Sequence, residues 1–146
     1  MIMMKYNVTI HTDGICRGDS GNGGYAALMQ CNGKSKSVSG GAKNTTNHRM
    51  ELTAVAESLK ALKTPCNVVV FSNSRLVVQG ITMWMHKWAQ QSWRRSSGDE
   101  PVHLDLWKQI YDYAETHKIS AVWIKGCSGD DLLSFVNKIA RAAVPS

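Results

Sequence analysis

A chain of 146 residues, 43% apolar and 19% charged, has the length of one domain, residues 1–146, and enough apolar surface for a core without staples. Its 17 Lys and Arg against 11 acids leave a net charge of +6, which permits a polyanionic partner such as nucleic acid without requiring one. No two of Cys16, Cys31, Cys66 and Cys127 form a C-x-x-C pair, which argues against a zinc site and for free thiols. The opening MIMMKYNVTI lacks the apolar stretch of a signal peptide, and no apolar run approaches a membrane span, so a cytoplasmic protein with no membrane partner is expected.

In chain order, Tyr6, Val8 and Ile10 alternate with polar residues, predicting a strand that ends at Thr12-Asp13-Gly14. The glycine-rich segment 18–24 reads as a turn, Tyr25–Cys31 as a second strand, Asn32-Gly33 as a hairpin turn and Lys34–Ser39 as a third strand. Leu52, Val55, Leu59 and Leu62 then recur with helical period, and Pro65 is expected to end that helix. Val68–Phe71 is a continuous apolar run, as a strand covered on both faces should be. Residues 74–90 read as one or two short helices broken near Gly80, 92–102 as a polar turn, 104–117 as a helix and 120–125 as a fifth strand. Leu132, Phe135, Val136, Ile139 and Ala143 mark a last helical stripe. The order predicts an α/β fold, a mixed five-stranded sheet flanked by helices.

Ligands in open α/β sheets gather outside the carboxyl ends of strands. Asp13 is expected just past the first strand and Asn73 just past the fourth, with Glu51 early in the first long helix and Asn137 bordering the last apolar stripe. Singly, each has a simpler role: a turn residue, a partner of the helix dipole, an N-cap for Asn73, a solvated flank for Asn137. Together they describe a metal site for phosphoryl transfer in which amides stand at two acid positions.

The segments T-D-G (12–14), G-N-G-G-Y (21–25), T-T-N-H-R-M-E-L (45–52), S-N-S (72–74), V-Q-G-I-T-M-W (78–84), L-D-L-W (104–107), V-W-I-K-G (122–126) and I-A-R-A-A (139–143) resemble type 1 ribonuclease H along essentially the whole chain. The resemblance implies the ribonuclease H-like fold, with three antiparallel strands followed by two parallel ones. It implies hydrolysis of the RNA strand of an RNA/DNA hybrid with two Mg²⁺ ions, Mn²⁺ being a possible substitute. It places the four metal-binding positions at Asp13, Glu51, Asn73 and Asn137. An amide has one acceptor oxygen and an NH₂ that repels cations, so two Asn in place of two Asp remove two negative charges from the site. Asn73, beside Asp13, is expected to impair catalysis, whether natural or introduced. Asn137, at the edge, is expected to be tolerated because its carbonyl can still face an ion or a water. Cys127 stands where the family has a loop histidine that assists proton transfer or product release.

The same resemblance places substrate contacts at Gly14, Asp19, Thr46, Asn47, His48 and Arg75. It reads Lys87, Trp88, Trp93, Arg94 and Arg95 as a basic, aromatic handle for the DNA strand. Trp84 is expected to be mostly core and Trp93 the better binding residue. A monomer acting on RNA/DNA hybrid is the leading expectation. The alternative is an inactive hybrid-binding module on the same fold. Other nucleases and recombinases of this fold share scattered acids but neither R-M-E-L nor the handle.

Overall fold

The computed structural model describes residues 6–18, 21–125 and 131–146. Strands β1 (Tyr6–Cys16), β2 (Gly21–Cys31) and β3 (Lys34–Thr45) form an antiparallel meander. Strands β4 (Cys66–Ser72) and β5 (Lys118–Trp123) add in parallel, giving the sheet order β3-β2-β1-β4-β5. Asn32 and Gly33 both take positive φ (51° and 77°) in the β2–β3 turn, the two-residue geometry that Asn-Gly favours.

The strands outrun the sequence reading. β1 continues past Asp13, with Gly14 paired to Tyr25 and Cys16 to Gly23, so Asp13 lies within the strand rather than beyond it. Gly21–Gly24 belongs to β2 and not to a turn. The reason is packing. A β-carbon on Gly24 would meet the carbonyl of Ala140, and one on Gly41, its partner across β2 and β3, would meet that of Ala143. The glycines are where the last helix lies against the sheet.

Helix α1 (Asn47–Lys60) is capped by Thr46, whose hydroxyl accepts from the Arg49 N–H at 3.2 Å, and it buries Leu52, Val55 and Leu59 as the periodicity requires. It ends at Lys60, so Pro65 follows the end rather than causing it. β4 alternates: Val68 and Val70 are fully buried while Val69 and Phe71 are half-buried, the other face being thinly covered there. Phe71 stacks on His11 at 4.7 Å.

Residues 75–90 do not break at Gly80. α2 (Arg75–Gln79) runs through a π-helical turn (Gly80–Trp84) into α3 (Met85–Gln90). The wider turn lets Val77, Ile81 and Met85, four apart, all face the core. A β-carbon on Gly80 would run into the indole of Trp107 on α4 (Leu104–Thr116). Trp107, 1% exposed, is the core tryptophan, whereas Trp84 is half-buried, contrary to expectation. On α5 (Asp131–Ala142) the buried stripe is Leu133, Val136 and Ala140; of the predicted set Val136 is buried, Leu132 and Ile139 are half-buried against it, and Phe135 is 49% exposed. Among the described residues no helix is long and apolar enough to cross a membrane.

Candidate active site

The parallel pairing of β1 with β4 sets the site. His11 is level with Phe71, so the two residues that follow each, ending at Asp13 and Asn73, reach the same end of neighbouring strands. Glu51 is brought in by α1. Gly14 has no side chain, and a β-carbon there would collide with the backbone of Met50 and Glu51, so the second turn of α1 rests directly on β1. α5 crosses from the other side and delivers Asn137.

Asp13 is 6% exposed. Burial lifts its carboxyl above the usual range, against the hydrogen bonds from Asn137 and the Gly14 N–H (2.9 Å) and the nearby charge of Arg141. Burial also raises Glu51, against a hydrogen bond from Ser74 and the proximity of His48, and the charge of Asp13 pushes it further up. A buried carboxyl pushed up by a second one nearby is relieved by a cation. Glu51 Oε2 is buried without a hydrogen-bond partner among the described residues, with His48 Nδ1 at 3.8 Å.

The amides are placed differently from each other. Asn73 is exposed, its backbone carbonyl accepting from Trp123 Nε1 at 3.1 Å. It is not the helix cap. That is Ser74, whose hydroxyl accepts from Val77 N–H. Arg75 lays its guanidinium over the Trp123 ring, 4.0 Å from the centroid. Asn137 turns its NH₂ to Asp13, donating to Oδ2 at 2.6 Å, while its Oδ1 accepts from Arg141 Nε at 2.8 Å. The reverse orientation would face carbonyl to carboxylate and NH₂ to guanidinium, so both neighbours fix it. The carbonyl expected to face the site is therefore turned away from it.

The expected substrate residues fall into separate places. Asn47 lines a cleft of about 420 Å³ with Ile15, Cys16, Arg17, Arg141 and Val144. His48 lines a larger groove of about 630 Å³, whose walls include Trp84, Lys87, Trp88 and Arg95. Trp93 and Arg94 are not among the groove residues, and Trp93 packs edge-on against Tyr111 at 5.5 Å. Trp84, assigned to the core, is thus a groove residue, and Trp93 is half-buried against α4. Thr46 spends its hydroxyl acceptor on the α1 cap. Asp19 and Cys127 lie outside the described residues. Two site residues escaped the sequence reading. Arg141 stands four after Asn137, a helical-neighbour spacing that would have found it. Ser74 follows Asn73 directly, but its contact with Glu51 joins two elements and has no local signal.

The family model described as RNase H matches residues 5–144. The chain belongs to the RNase H family. Among its relatives, a ribonuclease H from Gluconobacter oxydans (strain 621H) is 44% identical over 133 residues, 91% of this chain and 89% of that one. A ribonuclease H from Wolbachia pipientis wMel is 39% identical over 142 residues, 97% and 98% of the two chains. Among solved structures, LC9-RNase H1, a type 1 RNase H with the type 2 active-site motif, superposes with a TM-score of 0.86 at 28% identity, covering 98% of this chain and 74% of that one. The mixed sheet is therefore that of ribonuclease H, and the chain is a ribonuclease H by descent.

The family resemblance implies two divalent ions, and the donors present suit one. Asp13 and Glu51 supply carboxylates, and the partnerless Glu51 Oε2 is an acceptor that a cation would satisfy. Toward Asn137 the fit fails, because an NH₂ and not an oxygen faces Asp13. Among the described residues no group of three or more His, Cys, Asp or Glu is placed to hold a metal.

Proposed function

We propose that this ribonuclease H hydrolyses the RNA strand of RNA/DNA hybrids at the site marked by Asp13, Glu51, Asn73 and Asn137, as a single-domain monomer, with activity reduced by Asn73. What carries the reading is the pair of carboxyls, Asp13 within β1 and Glu51 on α1, both raised by burial and Glu51 further by the charge of Asp13. Asp13 and Glu51 would hold a divalent ion, Mg²⁺ or Mn²⁺, whose Lewis acidity lowers the pKa of a water and offsets charge on a leaving oxygen.

The chain's own residues do the rest. Gly14, bare of a side chain, lets α1 seat Glu51 against β1 beside Asp13, where a ribose 2′-hydroxyl, which distinguishes RNA from DNA, would be read. Asn47 in the smaller cleft meets the RNA strand, with Arg17 and Arg141 supplying positive charge there. The larger groove takes the DNA strand. Lys87 and Arg95 meet phosphates, while Trp84 and Trp88 offer flat faces to sugars. His48 lines that groove beside Glu51, and Thr46 and Arg75 are further candidate contacts. Asn73 supplies an oxygen but no charge, so the Asp13–Glu51 pair alone must hold any cation against the pull of bulk water.

A second reading, a hybrid-binding module without hydrolysis, is favoured by one observation: the NH₂ of Asn137 already occupies Asp13 Oδ2. Cleavage of a labelled hybrid by this chain and by Asn73→Asp, with Mg²⁺ and with Mn²⁺, decides between them. The enzyme reading expects weak cleavage that rises at least tenfold in the variant. Binding by both proteins without cleavage by either would leave only the module.

A further inference from the structure

The side of the site toward α5 holds a hydrogen-bonded relay in place of an anion. Arg141 Nε donates to Asn137 Oδ1 at 2.8 Å, and Asn137 Nδ2 donates to Asp13 Oδ2 at 2.6 Å. Every link runs positive to negative, from guanidinium through amide dipole to carboxylate. One lone pair of Asp13 Oδ2, the one on the Asn137 side, is thus taken by a donor where a second ion would need it free. An ion entering between Asp13 and Asn137 must break the 2.6 Å bond and turn the amide over, which also breaks the bond to Arg141 and aims its NH₂ at the guanidinium. Charge points the same way. Two carboxylates balance one divalent ion and leave nothing for a second, while Arg141 already adds positive charge beside Asp13. The opposite side differs: Glu51 Oε2 is buried without a hydrogen-bond partner, its near neighbour being His48 Nδ1 at 3.8 Å.

We infer that the Asn137–Arg141 relay takes the place of one of the family's two ions, so that the site binds a single divalent cation, at Asp13 and Glu51. The two amides are then not equivalent losses. Asn137, through Arg141, closes a position to metal. Asn73 only weakens the position that remains. This rests on the proposed function for its biological meaning, but the ion count does not depend on substrate.

The test is a count. Mn²⁺ bound to the free protein is measured from the loss of the free-ion electron paramagnetic resonance signal, and again with a short RNA/DNA hybrid, each referenced to Asp13→Asn. The expected result is one ion for the unaltered chain, two for Asn137→Asp, and one, bound at least tenfold more tightly, for Asn73→Asp. Circular dichroism of each variant checks that it is folded. Two ions on the unaltered chain, or none, overturns the inference, as does a second ion gained by Asn73→Asp and not by Asn137→Asp. Fluorescence anisotropy of labelled hybrid without divalent ions is read separately. Failure to bind hybrid there sinks the proposed function and leaves the count standing.

Discussion

Glu51 reaches the site because Gly14 has no β-carbon: the backbone of Met50 and Glu51 occupies the space that one would fill. The contact joins strand β1 to helix α1 at the point where both carboxylates are mounted, so the spacing of the acids is set by main chain and not by side-chain rotamers. Gly14→Ala must push α1 outward. Overpacking of this kind costs about 1–3 kcal/mol, and the displacement carries Glu51 away from Asp13. Urea unfolding is expected to show the stability loss. Mn²⁺ affinity, measured by the free-ion signal, is expected to fall at least tenfold. An unchanged affinity would mean that side-chain adjustment restores the pair.

Gly80 and Trp107 make a similar contact inside the core, where the indole lies on the bare Cα. Trp107 is 1% exposed and cannot swing into solvent. Gly80→Ala is therefore expected to destabilise the fold by roughly 1–3 kcal/mol despite alanine's better helix propensity. Near-ultraviolet circular dichroism should register the displaced indole. A stabilised variant would show that the π-helical turn can absorb the methyl.

His117 is expected to make stability depend on pH. It is 3% exposed, and its Nδ1 accepts from the Cys66 N–H at 3.1 Å, tying the end of α4 to the start of β4. Burial lowers its pKa below the ordinary 6.5. The unfolded chain then takes up a proton at a higher pH than the folded one. The contribution is fully present above 6.5 and is lost as pH falls from there through the lowered folded value. His103, lowered by burial and by the charge of Arg49, acts in the same sense. His117→Asn keeps a hydrogen-bond acceptor and cannot titrate, so its urea midpoint should fall less steeply between pH 7 and 5. Parallel curves for the two proteins would place the effect at His103 or elsewhere.

Sites and elements were legible in the sequence to the extent that local rules control them. T-D-G and R-M-E-L draw attention to Asp13 and Glu51 because a strand and a helix start are each written in a few adjacent residues, although β1 runs on past Asp13. Leu52, Val55 and Leu59 are buried because a helical period has one solution. What failed was decided at a distance. Gly21–Gly24 looks like a turn and is a strand because α5, more than a hundred residues on, needs the space. Trp107 fills the core where Trp84 was expected, because the docking of α4 onto Gly80 seats its indole there. The buried stripe of α5 keeps Val136 but takes Leu133 where Leu132 was expected, because the two are adjacent and both apolar. The orientation of the Asn137 amide is set by Arg141 on one side and Asp13, 124 residues away, on the other, and the second of these has no local signal.

The handle makes a sharper prediction than its charge alone. Lys87 and Arg95 line the larger groove, whereas Arg94 is exposed outside it. If the groove holds the DNA strand, Lys87→Ala and Arg95→Ala should each weaken hybrid binding and reduce the slope of log affinity against log salt by about 0.7–0.9. Arg94→Ala should change neither. Anisotropy titrations at several salt concentrations measure both quantities. Equal effects from all three would point to a diffuse charge field instead of a built groove.

The turn at Gly80–Trp84 also decides which way the handle looks. A π-helical turn is an α-helix with one residue too many, so it advances the azimuth of everything after it by about 100°. The direction in which Trp84, Lys87 and Trp88 point is thus a count of residues and not a matter of their chemistry. Winding the same residues as plain α-helix would leave their identities intact and rotate them off the groove, while insertions and deletions in the polar loop beyond, 92–102, would leave that azimuth alone. The aim of the handle is therefore set by the winding before Gln91, and length variation after it is tolerable.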